Sequence, residues 1–165
     1  MRQASQLTAP ALPSNPRAEE DPWQKPQAGK GESGVMWYGT RDEQGNGTVR
    51  FVVAPRQKMH CSNYAVSVEA LTEIVHQLPD GWKPLAQIHS HPGEWVEHSA
   101  YDDETMSSHR ILSLVFPFYG RTSEGFLQGV GVHEWQNGYW HLLEGNDREH
   151  RVQATEGEVL VEDMR

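Results

Sequence analysis

The stretch "IHSHPGEWVEHSAYDD", Ile88 to Asp103, gathers three histidines, two serines and four carboxylic acids within sixteen residues. It overlaps the end of an apolar run, "PLAQI", whose composition suits a buried strand. His89 and His91 stand two residues apart, so an extended backbone projects both imidazoles to one face. Two neutral imidazoles on one face are half of a zinc site. Asp102 follows eleven residues after His91, at the start of an expected helix, where its carboxylate can swing back as a third ligand. Two nitrogens and one oxygen leave the fourth tetrahedral position for water, which is the arrangement of catalytic and not of structural zinc. Water on such a metal ionises near neutral pH and attacks a carbonyl once a carboxylate accepts its proton. That chemistry requires a base and an oxyanion donor in addition to the ligands.

Plainer roles stand beside these. Ser99 and Asp102 also match a capping box, serine at the N-cap and an acid three residues on, and a helix start of this kind would itself fix the aspartate near a metal. His98, Glu94 and Glu97 fall in the seven-residue gap, a loop in which polar residues are ordinary and from which they reach substrate at most. Trp95, in the same loop, either contacts a ligand beside the metal or pins the loop. Cys61 has His60 beside it, but adjacent side chains in a strand or turn point apart, so a buried structural thiol is the expected role.

The elements that must position these residues are legible in outline. "VMWYGT" and "TVRFVVAP" are β-branched and aromatic runs joined by "RDEQGNG", a hairpin. Ser67 is a plausible N-cap for a helix from Val68 to about Gln77, with Val68, Leu71, Val75 and Leu78 at helical spacing and Pro79, Asp80 and Gly81 ending it. "PLAQIHSH" and "ILSLVFPF" read as strands flanking a helical segment over 100–109, and "FLQGVGVHEWQNGYWHLL" reads as a hairpin turning at Asn137 and Gly138. The mixture predicts an α/β fold, one mixed sheet flanked by helices.

A chain of 165 residues suits one domain. Residues 1–30 hold five of the ten prolines and no apolar period, and read as a flexible arm dispensable for chemistry. The catalytic domain is expected over 31–145, followed by a charged tail, 146–165, with room for one more strand at "EVLVE". The net charge of −9 and the lack of a basic run argue against nucleic acid as a partner. No window approaches the roughly twenty apolar residues of a membrane span. The single cysteine fits a reducing, cytoplasmic location.

The block from His89 to Asp102 resembles the signature of the JAMM metalloproteases of the MPN domain family. That signature runs His, Ser or Thr, His, seven residues, Ser, two residues, Asp, and here His89, Ser90, His91, Ser99 and Asp102 occupy its fixed positions. The family also carries a glutamate followed three residues on by Gly and seven residues on by another Gly. "ESGVMWYG" places Glu32 seven residues before Gly39, with Val35 at the intermediate glycine position. Glu69 and Glu73 are rivals for the base, on a helix whose polar face is expected to point to water.

The resemblance implies a single MPN-like (cytidine-deaminase-like) domain holding one zinc ion per chain through His89, His91 and Asp102. It implies Glu32 as catalytic base and Ser99 as the hydrogen-bond donor to the oxyanion. The implied activity is an isopeptidase or peptidase that cleaves after the C-terminus of a ubiquitin-like protein, in precursors or conjugates. Activating and conjugating enzymes of a bacterial ubiquitin-like system are the implied setting, and the modifier's extended tail would pass beneath Trp95. Three other readings share parts of this pattern: a peptidase trimming a sulfur-carrier protein or a small peptide adduct, a non-catalytic MPN scaffold, and a RadC-like protein linked to DNA. The acidic net charge weighs against the last.

Overall fold

The computed structural model describes residues 6–10, 31–60, 63–121 and 127–165. A short strand β1 (Leu7–Pro10) precedes the hairpin of β2 (Gly34–Arg41) and β3 (Gly47–Ala54). A second, small hairpin, β4 (Gln57–His60) and β5 (Asn63–Val66), leads into helix α1 (Val68–Gln77) and then strand β6 (Lys83–Ser90). Helix α2 (Ala100–Thr105) and strand β7 (Leu112–Phe116) follow. The hairpin of β8 (Gly131–Gln136) and β9 (Tyr139–Leu143), helix α3 (Gly145–Arg151), β10 (Val152–Thr155) and β11 (Leu160–Asp163) complete the order.

Among the described residues, nine strands form one mixed sheet in the order β10-β1-β3-β2-β6-β7-β8-β9, with β11 also pairing with β3. β2 pairs antiparallel with β3 and β6, while β6 and β7 run parallel across the crossover that contains α2. The β8–β9 turn has positive φ at both Asn137 (51°) and Gly138 (92°), the conformation that suits a two-residue hairpin and explains that residue pair. Val132 of β8 and Val152 of β10, from opposite ends of the strand order, join one core cluster with Trp37, Val49, Leu85 and Leu114. The sheet is therefore curled around its own apolar face, and Arg151 closes the curl by an ion pair with Glu134. On the other face α1 covers Met36, Tyr38 and Val53. Among the described residues no helix is long and apolar enough to cross a membrane.

Three expectations change. Leu7–Pro10 does not belong to a flexible arm: it pairs with β10 along four residues and with β3 at Leu7 and Thr8, and Leu7 and Ala9 are buried in the core. Residues 11–30 lie outside the described residues, as does Cys61. The stretch 146–165 is more than a charged tail, because α3 and β10 complete the curled sheet and β11 adds the expected extra strand. In α1 the bounds are as expected, with Ser67 as N-cap, but the buried residues are Ala70 and Ile74, with Leu71 and Leu78 partly covered, while Val68 and Val75 are exposed. Ala70 and Ile74 lie four apart on one stripe, which places the two valines on its rim.

If β1 belongs to the core, Leu7→Ala should cost about 2–4 kcal/mol, read from the urea midpoint at unchanged slope. An unchanged midpoint would return Leu7 to the arm.

Candidate metal centre

β6 is buried on both faces from Leu85 onward, and its alternation sends Ile88 into the curled core and His89 to the helical side. His91 lies just past the strand, and its backbone is held at both ends: its N–H donates to the Phe116 carbonyl (2.8 Å) and its carbonyl accepts from the Tyr119 N–H (2.7 Å). That second bond comes from a turn in which Phe118 and Tyr119 take left-handed φ values of 53° and 56°, conformations that cost free energy in non-glycine residues and gather where a site is being shaped. Asp102 is presented by the first turn of α2. The expected capping box is present: the Ser99 Oγ accepts from the Asp102 N–H at 3.2 Å, and the Asp102 Oδ2 accepts from both the Ser99 N–H and its hydroxyl at 2.7 Å.

These elements bring His89, His91 and Asp102 together, between 2 % and 6 % exposed. The two Nε2 atoms are 3.2 Å apart, with Asp102 Oδ1 3.3 Å from His89 and Oδ2 3.4 Å from His91. Bonds of about 2.0–2.1 Å to a tetrahedral ion set neighbouring donors about 3.3 Å apart, so the spacing fits a metal ion. His91 Nδ1 faces the Trp95 carbonyl at 3.1 Å, and because a carbonyl only accepts, Nδ1 carries a proton and Nε2 is the nitrogen turned toward the group, free to ligate once it is deprotonated. Burial alone would raise the Asp102 carboxyl, but hydrogen bonds from His89, His91 and Ser99 hold it far below the usual carboxylate range. Burial opposes protonation of His91, yet Asp102, the Trp95 carbonyl and Glu32 together raise it above the ordinary value. Two imidazoles and an ionised carboxylate at this spacing form a donor set able to hold a divalent cation.

Glu32 lies just ahead of β2, whose Gly34 pairs with His89, and is 5 % exposed. Its N–H donates to the His60 carbonyl at 2.9 Å, and the Gln57 side chain brackets Gly34 through the N–H (2.7 Å) and the carbonyl (2.9 Å). Burial pushes the Glu32 carboxyl up to about 7, with His91 lowering it and Asp102 raising it. Glu32 is thus electrostatically coupled to the metal group and can hold a proton near neutral pH. Of its rivals, Glu69 is exposed on α1 and Glu73 pairs with Arg56. Trp95 is 52 % exposed, its ring covering Gly93 and lying 6.0 Å from the His91 ring.

His98 is not a loose loop residue. Its Nδ1 pairs with Asp103 and its Nε2 with Ser113, each at 2.8 Å, and its ring stacks on His133 at 3.9 Å. Burial, then His133, pushes it down to about 4, so it is neutral at neutral pH. Gln57 and His133 carry no local sequence signal: the first sits in a four-residue strand and the second meets the loop only in space.

The fold and the site define a mixed α/β protein with a buried His-His-Asp group suited to a metal ion. No family model matches the chain, and no curated protein matches it. The structure is similar to the solution structure of a protein from Desulfitobacterium hafniense, with a TM-score of 0.57 and 17 % identity over 93 % of this chain and 94 % of that one. The likeness is one of fold.

Proposed function

We propose that this protein is a zinc-dependent peptidase or isopeptidase of the JAMM type, in an MPN-like domain, that cleaves after the C-terminus of a ubiquitin-like modifier. The observation that carries this reading is the buried His89, His91 and Asp102 group with the proton-holding Glu32 coupled to it. Zinc, when bound, would supply Lewis acidity and ease the loss of a proton from water, which makes its oxygen nucleophilic toward an amide. Glu32 takes the proton of the attacking water and returns it to the leaving amine, a transfer suited to a carboxyl tuned near neutrality. Ser99 donates its hydroxyl to the developing oxyanion; when that hydroxyl turns away, Asp102 Oδ2 keeps its bond from the Ser99 N–H. Trp95, half-exposed beside His91, covers the extended tail of the modifier. The substrate class and the setting with activating and conjugating enzymes rest on the sequence resemblance alone.

The test incubates zinc-loaded protein with glycine-ended ubiquitin-like modifiers joined through an isopeptide bond to a lysine peptide, with products read by mass. Release of the intact modifier is expected, abolished by a chelator, restored by zinc and indifferent to thiol or serine reagents. A zinc-holding protein that cuts none of the panel would end the hydrolase reading.

A further inference from the structure

The loop between His91 and α2 is tied to β8 by a histidine that belongs to neither the metal group nor the proposed base. His133 Nε2 lies 2.7 Å from the Val96 carbonyl, one residue beyond the Trp95 carbonyl that accepts from His91 Nδ1 at 3.1 Å. Carbonyl oxygens only accept, so both rings are N–H donors at those atoms and each is fixed in one tautomer. Gly131, two residues before His133, leaves room for the same peptide: a Cβ there would meet the Val96 carbonyl oxygen at 2.6 Å and the Val96 Cβ at 2.7 Å. His133 is itself braced by the stacked ring of His98, which Asp103 and Ser113 hold at its two nitrogens. Asp103, His98 and Ser113 follow the hydrogen-bond order of a nucleophilic triad, but Ser113 is 0 % exposed in the middle of β7 and offers no nucleophile. The triad serves as a rigid plate behind His133.

We propose that His133 is a positioning residue for the metal group: by holding the Val96 carbonyl it keeps the neighbouring Trp95 carbonyl on His91 Nδ1, so that His91 Nε2 stays aimed at His89 and Asp102. This rests on the metal-holding part of the proposed function and not on the hydrolysis. His133→Leu removes the donor, whereas His133→Gln can still reach Val96 with a side-chain N–H. Zinc affinity, read by competition with a chromophoric chelator, should fall roughly 10-fold in His133→Leu, and the visible spectrum of the cobalt-loaded protein should change with it. His133→Gln should restore both to within about threefold, which a role in packing alone would not predict. Leu7→Ala, destabilised but remote, serves as control and should keep the wild-type affinity and spectrum. Should His133→Leu fail to fold, His133→Asn, too short to reach Val96, takes its place with the same expectation. Wild-type affinity and spectrum in the variant without the donor, or no recovery with Gln, would overturn the proposal. A wild-type protein that holds no zinc overturns it together with the function, whereas one that holds zinc without hydrolysis sinks the function alone.

Discussion

Glu32→Gln should keep one zinc per chain and lower kcat/KM by on the order of 10²–10⁴-fold, the usual worth of a positioned general base. Glutamine preserves the shape of a residue that is 5 % exposed and is not one of the three metal-facing donors, so metal content and fold stay while proton transfer goes. The activity of the wild type should rise with pH as Glu32 ionises. Without metal, burial holds its carboxyl at about 7, and an adjacent cation would lower it, so the acid limb of the proposed hydrolysis belongs below pH 7. The same raised carboxyl has a consequence for the metal-free fold. The folded state binds the proton more tightly than the unfolded chain, so stability falls as pH rises from the unfolded value of 4.5 to about 7. At 1.36 kcal/mol per unit, the penalty at pH 8 is up to about 3 kcal/mol. Metal-free Glu32→Gln should therefore gain stability over wild type at pH 8 by up to that amount, relative to the difference between them at pH 4. Turnover at the wild-type rate would move the base to another carboxylate.

Replacing His89 and His91 together by Ala should take zinc from one per chain to none, because a lone carboxylate remains of three donors. The double variant also strips Asp102 of the imidazole partners that hold its carboxyl low, leaving the Ser99 N–H and hydroxyl as its hydrogen-bond donors. A buried charge that loses its partners costs several kcal/mol, so the melting temperature should fall even without metal. Added zinc should raise the melting temperature of the wild type, since a ligand bound by the native state alone stabilises it, and should leave that of the double variant unmoved. Metal analysis that finds full zinc occupancy in the double variant would place the ion elsewhere.

The metal-facing residues were legible in the sequence because their spacing is local. His89 lies at the end of one strand with His91 just past it, and Ser99 with Asp102 opens one helix, so strand alternation and the capping pattern mark them locally, while the fold brings the helix start up to the strand end. The β2–β3 and β8–β9 hairpins were legible for the same reason, from their turn residues. β1 was hidden because four residues ending in proline carry no alternation to speak of, and its partners, β10 and β3, pair with it in parallel over long separations. The rim of α1 misled because valines at positions 68 and 75 repeat at helical spacing whichever side is buried. His98 and His133 belong to different elements thirty-five residues apart, and the stack between them exists only once the β7–β8 pair has formed.

The place of β1 between β3 and β10 sets an order of assembly during synthesis. Glu32, His89, His91 and Asp102 all lie within the span 32–102, in which β2 finds both of its partners, β3 and β6, while β6 further pairs with β7 at 112–116 and β3 with β1 and β11. Of the described strands β1 precedes the rest, yet β3 gives it two register positions, and the other four wait for residues 152–155. Pairing across such a separation is slow because the loop entropy is lost before the contacts form. The part of the sheet that carries the His-His-Asp group, β2, β6 and β7, can therefore take shape on the ribosome while the seam between β1 and β10 is still open, and the curled sheet closes only after that region has been built.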